Sequence, residues 1–467
     1  MLKKYDAIVI GAGMSGLACA IRLAMFDKKV LLMEKHSISG GLNSYYQRRN
    51  KDLGGVRKFD VGLHALTNFV RKGTKGAPLT KLLKQLRIKY DDLKLQEQSY
   101  SLIQFPDVTL KFSNDFLLLQ NQVYEKFPSS IDAFNKLVNH IKDFNELDLS
   151  LGYQSSREVL KKFIQDDLLN EMLLCPLLIY GSAWERDMDF AQFVVMFKSL
   201  YFEGFSKPEG GVRTILELLL DKYEKAGGEL KFRSEVQEII IKDNKACGVK
   251  TKKGDEILAD KVFSSMGLPE TYKVCDESIE HEVGNMTFME TLIITDKKID
   301  INKFDATISF YNDGQKYDYQ KPSTSYDPSS AVICIPDNYD LQNREGEGLF
   351  RLTFMANYDH WSSFERSRYL EEKEKVYADG VALLKRAVPG FSDLVIRQKD
   401  VFSPTTIKKY TSHLNGTVYG STDKSRDGKS KYENLYIIGT DQGFLGIVGS
   451  MLSGISIGNM YGLMERS

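Results

Sequence analysis

The chain of 467 residues has no excess of either charge, with Lys+Arg and Asp+Glu both at 63. A nucleic-acid partner is therefore not expected, because that binding needs a basic surface. Cysteine is scarce: Cys19, Cys175, Cys247, Cys275 and Cys334 are scattered, with no CxxC pair and no metal-ligand spacing. That excludes a disulfide framework or a cysteine-built zinc site and predicts buried thiols in a reduced, cytoplasmic protein. The six histidines show no HExxH or paired ligand spacing, so no metal is predicted. Long hydrophobic runs are missing too. No window reaches the roughly 18 uninterrupted apolar residues of a membrane-crossing helix. The chain passes almost directly into its first strand, and the apolar run 7–10 is broken by glycine, so no export signal is expected. Low-complexity segments and internal repeats are also absent.

What is present supports a large buried interior. Apolar residues make up 42% of the chain, and the length calls for two or more domains. The most ordered pattern is at the start. The run 7–10 is short and apolar; Gly11-Ala-Gly13-Met14-Ser15-Gly16 follows; 17–25 reads as a helix with small residues on one face; 29–33 is a second apolar strand ending at Glu34. Strand, glycine turn, helix, strand and carboxylate in that order form a dinucleotide site. Gly11 allows the tight turn, Gly13 lets the backbone approach a pyrophosphate, and Gly16 brings the helix close to the strand. The helix N-terminus then offers free N–H groups to the phosphates. Glu34 stands where a carboxylate can accept hydrogen bonds from ribose hydroxyls.

Further along, Gly40-Gly41-Leu42 suits a loop packed against a bound cofactor, and Arg57–His64 reads as a short strand ending in a glycine turn. Residues 76–204 change to helical periodicity, with a hairpin at 100–112 turning at Pro106-Asp107. The stretch 168–205 is rich in large apolar residues. It reads as core, with a substrate tunnel or a membrane-touching face as the alternatives. Glycine-rich α/β patterning returns at Pro208-Glu-Gly-Gly211, followed by a helix to Lys225 and strands at 229–232, 236–242, 245–251, 256–258 and 261–265. Residues 286–400 read as a second insertion, with four strands whose alternation predicts one buried face and a charged helix over 365–388. At the end, Asn434-Leu-Tyr-Ile-Ile-Gly439-Thr-Asp441 is a strand stopping at a glycine and an acid. Gly446-Ile447-Val448-Gly449 then opens a small-residue helix whose N-terminus can stabilise negative charge.

These segments together resemble the two-domain FAD-dependent oxidoreductases of the phytoene desaturase, carotenoid isomerase and retinol saturase type, over essentially the whole chain. The ending Gly439-Thr-Asp441 with Gly446–Gly449 looks more like the retinol saturase branch. The resemblance implies an α/β fold: a Rossmann-like, three-layer ββα FAD-binding domain assembled from 1–75, 205–285 and 401–467. It also implies an inserted α+β substrate domain from 76–204 and 286–400. FAD is the implied cofactor. Gly11, Gly13 and Gly16, with Met14 and Ser15, would hold its pyrophosphate; Glu34, beside Lys35, would hold the adenosine ribose. Gly40, Gly41 and Leu42 would pass near the isoalloxazine or ribityl chain, and Val236 would meet the adenine. Gly439 and Asp441 would contact the ribityl–phosphate end, and Ile447 and Val448 the flavin pyrimidine edge.

A flavin carries its own reactive centre, so no Ser-His-Asp array is required. The one candidate catalytic residue is His64, with a hydrogen-bonded structural histidine as the alternative. Asp60 stays open between turn and site, and His413 with Lys408-Lys409 between pocket and solvated loop. The expected function is saturation, desaturation or isomerisation of carbon–carbon double bonds in a long apolar isoprenoid or polyene, with an electron donor or acceptor that the chain does not name. Peripheral membrane contact is expected through 168–205. Two alternatives remain. One is a flavin amine oxidase, which needs an aromatic cage to which Tyr419 could contribute. The other is a non-catalytic, flavin-stabilised binding protein.

Overall fold

The computed structural model describes residues 4–50, 54–62, 64–275 and 281–464; Leu63 lies outside them. Two seven-stranded sheets organise the chain. In the first, Glu229–Lys231, Val30–Met33, Lys4–Ile10, Glu256–Ser264 and Leu435–Ile437 run parallel, in that spatial order. Successive side chains of a strand point to opposite faces, and the first strand uses both. Ala7 and Val9 enter a core with the helices Met14–Ala24, Val212–Lys225 and Gly446–Ile457. Ile8 and Ile10 enter a second core with Val236, Ile239 and Val249 of the antiparallel strands Val236–Lys242 and Lys245–Thr251. Helices, parallel sheet and antiparallel strands are therefore three layers. The segments 256–258 and 261–265, read as separate strands, are one continuous strand that pairs first with Lys245–Thr251 and then with Leu435–Ile437.

Small residues set the closest approach in this body. A Cβ on Gly16 would stand 1.9 Å from the carbonyl oxygen of Gly11, and one on Gly454 would stand 2.1 Å from that of Ser15. Gly16 therefore lets the first helix sit close on the turn after the first strand, and Gly454 lets the last long helix cross the first. The helix Pro78–Leu86 belongs to the same core through Leu79, Leu82, Leu83 and Leu86, so the residues just after 76 pack on the first sheet.

The second sheet has the order Ile396–Phe402, Thr287–Thr295, Gly348–Ala356, Ser330–Cys334, Ile308–Asn312, Ser101–Gln104 and Thr109–Phe112. The expectation of one buried face fails here. Every residue of Thr287–Thr295 and of Ser330–Cys334 is buried. Helices from 116–205 cover one face, and the long helix Arg366–Ala387 covers the other. Alternation was the wrong guide because both faces meet helices.

Most of the apolar stretch 168–205 is core. In the helix Asp167–Gly181, Leu169, Leu173, Leu174, Leu177 and Leu178 are fully buried, which leaves no apolar face there for a bilayer. Among the described residues, no helix is long and apolar enough to cross a membrane.

Candidate functional site

Two adjoining cavities lie where the bodies meet. The larger, of about 500 Å3, is lined by Gly11, Gly13, Met14, Ser15, Glu34, Lys35, Gly40, Gly41, Leu42 and Val236, and by Lys408, Lys409 and His413. Gly11 has φ +93°, and Gly40 donates its N–H to the Ala12 carbonyl at 2.8 Å, which lays the second glycine loop against the first. A Cβ on Gly13 would meet no atom within 4 Å and would project into the open cavity. This is the cradle that a pyrophosphate requires. Glu34 is buried, and its carboxylate oxygens accept from the N–H groups of Ala12 and His36, each at 2.8 Å. The lone pairs that remain can accept ribose hydroxyls. The residues present therefore fit FAD: a glycine cradle at a helix N-terminus, a fixed carboxylate, and Val236 at the far end.

Some expected positions fall elsewhere. Gly16 packs against Gly11 and is not part of the lining. The Asp441 carboxylate is 1% exposed and accepts from Leu268 N–H at 2.6 Å, Ser421 N–H at 2.9 Å and the Lys424 ammonium at 3.1 Å. It ties together three segments behind the site rather than facing the cavity. Gly439 has φ +92° and donates to the Ser453 hydroxyl at 2.7 Å; its neighbour Thr440 reaches both cavities. Val448 turns into the helix-side core, while Ile447 lines the inner chamber. Asp60 accepts from Val212 N–H at 3.1 Å and stands 3.5 Å from Arg213, so it caps the helix Val212–Lys225 with negative charge.

The smaller cavity, of about 190 Å3, shares Leu42, Asn43, Thr440 and Ser450 with the larger. Val61, Ala65, Ile179, Met196, Phe288, Val332 and Leu445 give it an apolar wall, and Tyr180 and Tyr419 add aromatic rings. Of the apolar stretch 168–205, Ile179, Tyr180 and Met196 reach this chamber. Tyr180 stacks with His64 (ring centroids 6.2 Å apart, 20° between planes), and Tyr419 meets Phe288 edge-on at 5.9 Å and 74°. Each tyrosine thus packs against a neighbouring ring.

One corner of the chamber is polar. Glu290 and Thr353 are cross-strand partners on the second sheet, and Thr353 donates its hydroxyl to Glu290 Oε2 at 2.6 Å. Arg351, 2% exposed, donates from Nε to Glu290 Oε1 at 2.7 Å. His64 places Nε2 3.3 Å from both carboxylate oxygens and 3.1 Å from Thr353 Oγ1. Carboxylate oxygens only accept, so Nε2 carries the hydrogen. Burial alone would push the Glu290 carboxyl up. The Arg351 guanidinium, His64 and the Thr353 hydroxyl override that and hold it down at about 2. Burial works against the Arg351 charge as well, and the Glu290 carboxylate outweighs it. The chamber thus holds a paired, hydrogen-bonded acid in an apolar wall. His64 was expected from the sequence; Glu290, Arg351 and Thr353 were not. The available signal was a lone acid in the strand Thr287–Thr295 and a lone base in Gly348–Ala356.

The family model for "Flavin containing amine oxidoreductase" matches residues 14–456. Prolycopene isomerase 1 of an Oncidium hybrid cultivar is 24% identical over 456 residues, covering 90% of this chain and 75% of that protein. All-trans-retinol 13,14-reductase of Danio rerio is 21% identical over 538 residues, covering 97% and 85%. Among solved structures, an oxidoreductase from Methanosarcina mazei superposes with a TM-score of 0.65 at 16% identity over 97% of this chain and 99% of that one. Cyclohexylamine oxidase from Brevibacterium oxydans superposes with a TM-score of 0.60 at 13% identity over 98% and 97%. At these identities the structural likeness speaks for the fold.

Proposed function

The chain belongs to the flavin containing amine oxidoreductase family, and on that premise we propose that it is an FAD-dependent oxidoreductase acting on carbon–carbon double bonds of a long apolar isoprenoid or polyene. The observation that carries this reading is the apolar inner chamber opening directly on the dinucleotide cavity. The names of the isomerase and reductase relatives support it.

Bound FAD supplies a centre that can take up or give a hydride. The chain's own residues do the rest. Gly13 and the N-terminus of the helix Met14–Ala24 would hold its pyrophosphate, and Glu34 would orient its ribose. The walls around Ile179, Met196, Phe288 and Val332 exclude water and hold an apolar segment beside the cofactor. His64 keeps a hydrogen on Nε2 at the polar corner, fixed there by Glu290 and Thr353. His64 is the residue we assign to proton handling at this site.

An amine oxidase reading gains from the family description alone. An amine cation needs a free anion or a ring cage, and Glu290 is already engaged by Arg351. A substrate of the proposed kind resides in lipid, so the protein collects it at a bilayer. Exposed apolar side chains for that contact lie at Leu117, Tyr124, Leu147, Leu149 and Tyr153. Failure of the protein to float with liposomes would count against this contact.

The test of function is direct. Purified protein should be yellow, carry apolar lipid detectable by mass spectrometry, and convert an isoprenoid or polyene when flavin is reduced or reoxidised. Hydrogen peroxide released on amines, with polyenes untouched, would replace this reading with the amine oxidase one.

A further inference from the structure

The inner chamber, at about 190 Å3, is smaller than the roughly 300–1,000 Å3 that ordinarily encloses a small-molecule ligand. A long isoprenoid cannot fit inside it, and part of its boundary faces the cofactor. A second concavity, of about 530 Å3, lies against it on the outer side. Leu42, Val61, Phe402 and Ile407 line both, and all four are apolar, so they form a neck rather than a polar partition.

The outer groove runs between the strand pair Tyr45–Arg49 and Val56–Asp60 and the short helix Pro404–Thr411. Tyr45, Tyr46 and Tyr410 extend its walls beyond the neck. Tyr46 is fixed in place by Phe59, with ring centroids 5.4 Å apart, and by Phe402, edge-on at 6.5 Å. Charge also lines the groove: Arg48 pairs with Asp400 at 2.9 Å, Lys373 borders it, and Glu34 and Gly41 are walls it shares with the dinucleotide cavity. An apolar neck and an aromatic trough with charged groups along it suit a chain that is greasy along its length and ends near water. The helix Pro404–Thr411 also borders the dinucleotide cavity through Lys408 and Lys409, which places groove, chamber and cofactor around one element.

We propose that this groove binds the distal segment of a long-chain apolar substrate. The neck at Leu42, Val61, Phe402 and Ile407 passes only the reacting segment into the chamber of His64 and Glu290. The proposal rests on the isoprenoid reading above and adds where the rest of the molecule lies. It predicts chain-length dependence: each further methylene leaving water for the groove strengthens binding by roughly fourfold until the groove is filled.

A twenty-carbon isoprenoid alcohol bearing a diazirine at its hydrocarbon end tests this on the intact FAD-loaded protein. Irradiation followed by peptide mapping should place saturable label, competed by unlabelled all-trans-retinol, within 45–48 or 400–411. Saturable label found only elsewhere overturns the groove and leaves the isoprenoid reading standing. No saturable label anywhere overturns that reading and the groove with it. Affinity supplies a second measurement by equilibrium dialysis. Gln47→Trp, at an exposed position on the groove wall, should weaken all-trans-retinol binding at least tenfold while geraniol binding stays within about threefold. An equal effect on both alcohols, or on neither, counts against the proposal.

Discussion

His64 Nε2 sits 3.3 Å from each carboxylate oxygen of Glu290. That contact joins the loop after the strand Val56–Asp60 to a buried strand of the second sheet, at the seam between the two bodies. Beneath it, Arg351 is paired to the same carboxylate and almost wholly buried. Removing one partner of such a pair strands the other charge in an apolar interior. We expect Glu290→Gln to cost about 3–5 kcal/mol of stability, and Glu290→Gln with Arg351→Met to cost less than the single change. Chemical denaturation of the parent, Glu290→Gln, Arg351→Met and the double variant checks this. Additive losses would mean that the two side chains are not energetically coupled.

The same carboxyl predicts an acid limb. Its pKa is about 2 in the folded chain, below the ordinary value of an unfolded glutamate. The folded state therefore gains stability that is fully present above that ordinary range and is lost as pH falls toward 2. Melting temperatures measured between about pH 5 and pH 2 should fall steeply in the parent protein and more gently in Glu290→Gln. Parallel slopes would show that other carboxyls govern acid unfolding.

The dinucleotide loop was legible because it is local. Every part of the pattern from Gly11 to Glu34 lies within one strand–helix–strand unit, and each glycine answers a separate steric demand. The polar corner was not legible in the same way. His64, Glu290, Arg351 and Thr353 come from one loop and two strands, and only the register pairing Glu290 with Thr353 brings them together. Both faces of that sheet are covered, so its strands carry no alternation to show which side chains share a face. The stretch 168–205 illustrates the same limit. Its apolar content could not separate core from tunnel wall, and the structure divides it, giving most residues to the core and Ile179, Tyr180 and Met196 to the chamber. Asp441 misled for a related reason. An acid just after a strand resembles a ligand contact, but here its carboxylate accepts from the backbone of Leu268 and Ser421 and from the Lys424 ammonium.

Glu203 predicts the opposite pH dependence. Burial pushes its carboxyl up to about 7, against the pull of the Asn68 amide that donates to it at 2.8 Å and of Lys81 and Lys198. The folded pKa lies above the unfolded one, so ionising this group costs stability, increasingly as pH rises from the ordinary glutamate value through 7. Glu203→Gln keeps an oxygen for Asn68 and removes the charge. It should stabilise the protein at pH 8 by up to roughly 3 kcal/mol, because each tenfold change in proton affinity is worth about 1.4 kcal/mol. It should have little effect at pH 4. A melting-temperature profile with no gain at alkaline pH would contradict this.

Glycine substitutions separate cofactor binding from folding. Gly13 has φ −73°, which any residue adopts, and a Cβ there would meet no protein atom within 4 Å. A larger side chain at Gly13 therefore clashes with the cofactor alone. Gly13→Leu should fold with an unchanged far-ultraviolet circular dichroism spectrum and emerge colourless, without FAD even after incubation with excess cofactor. Gly16 behaves otherwise, because its Cβ would stand 1.9 Å from the Gly11 carbonyl oxygen. Gly16→Ala must push the first helix away from the first strand, and overpacking of this kind costs about 1–3 kcal/mol or more. Lower thermal stability before any cofactor is added should follow. If Gly13→Leu kept its flavin, the pyrophosphate could not lie against this loop, and the assignment of Glu34 to the ribose would fall with it.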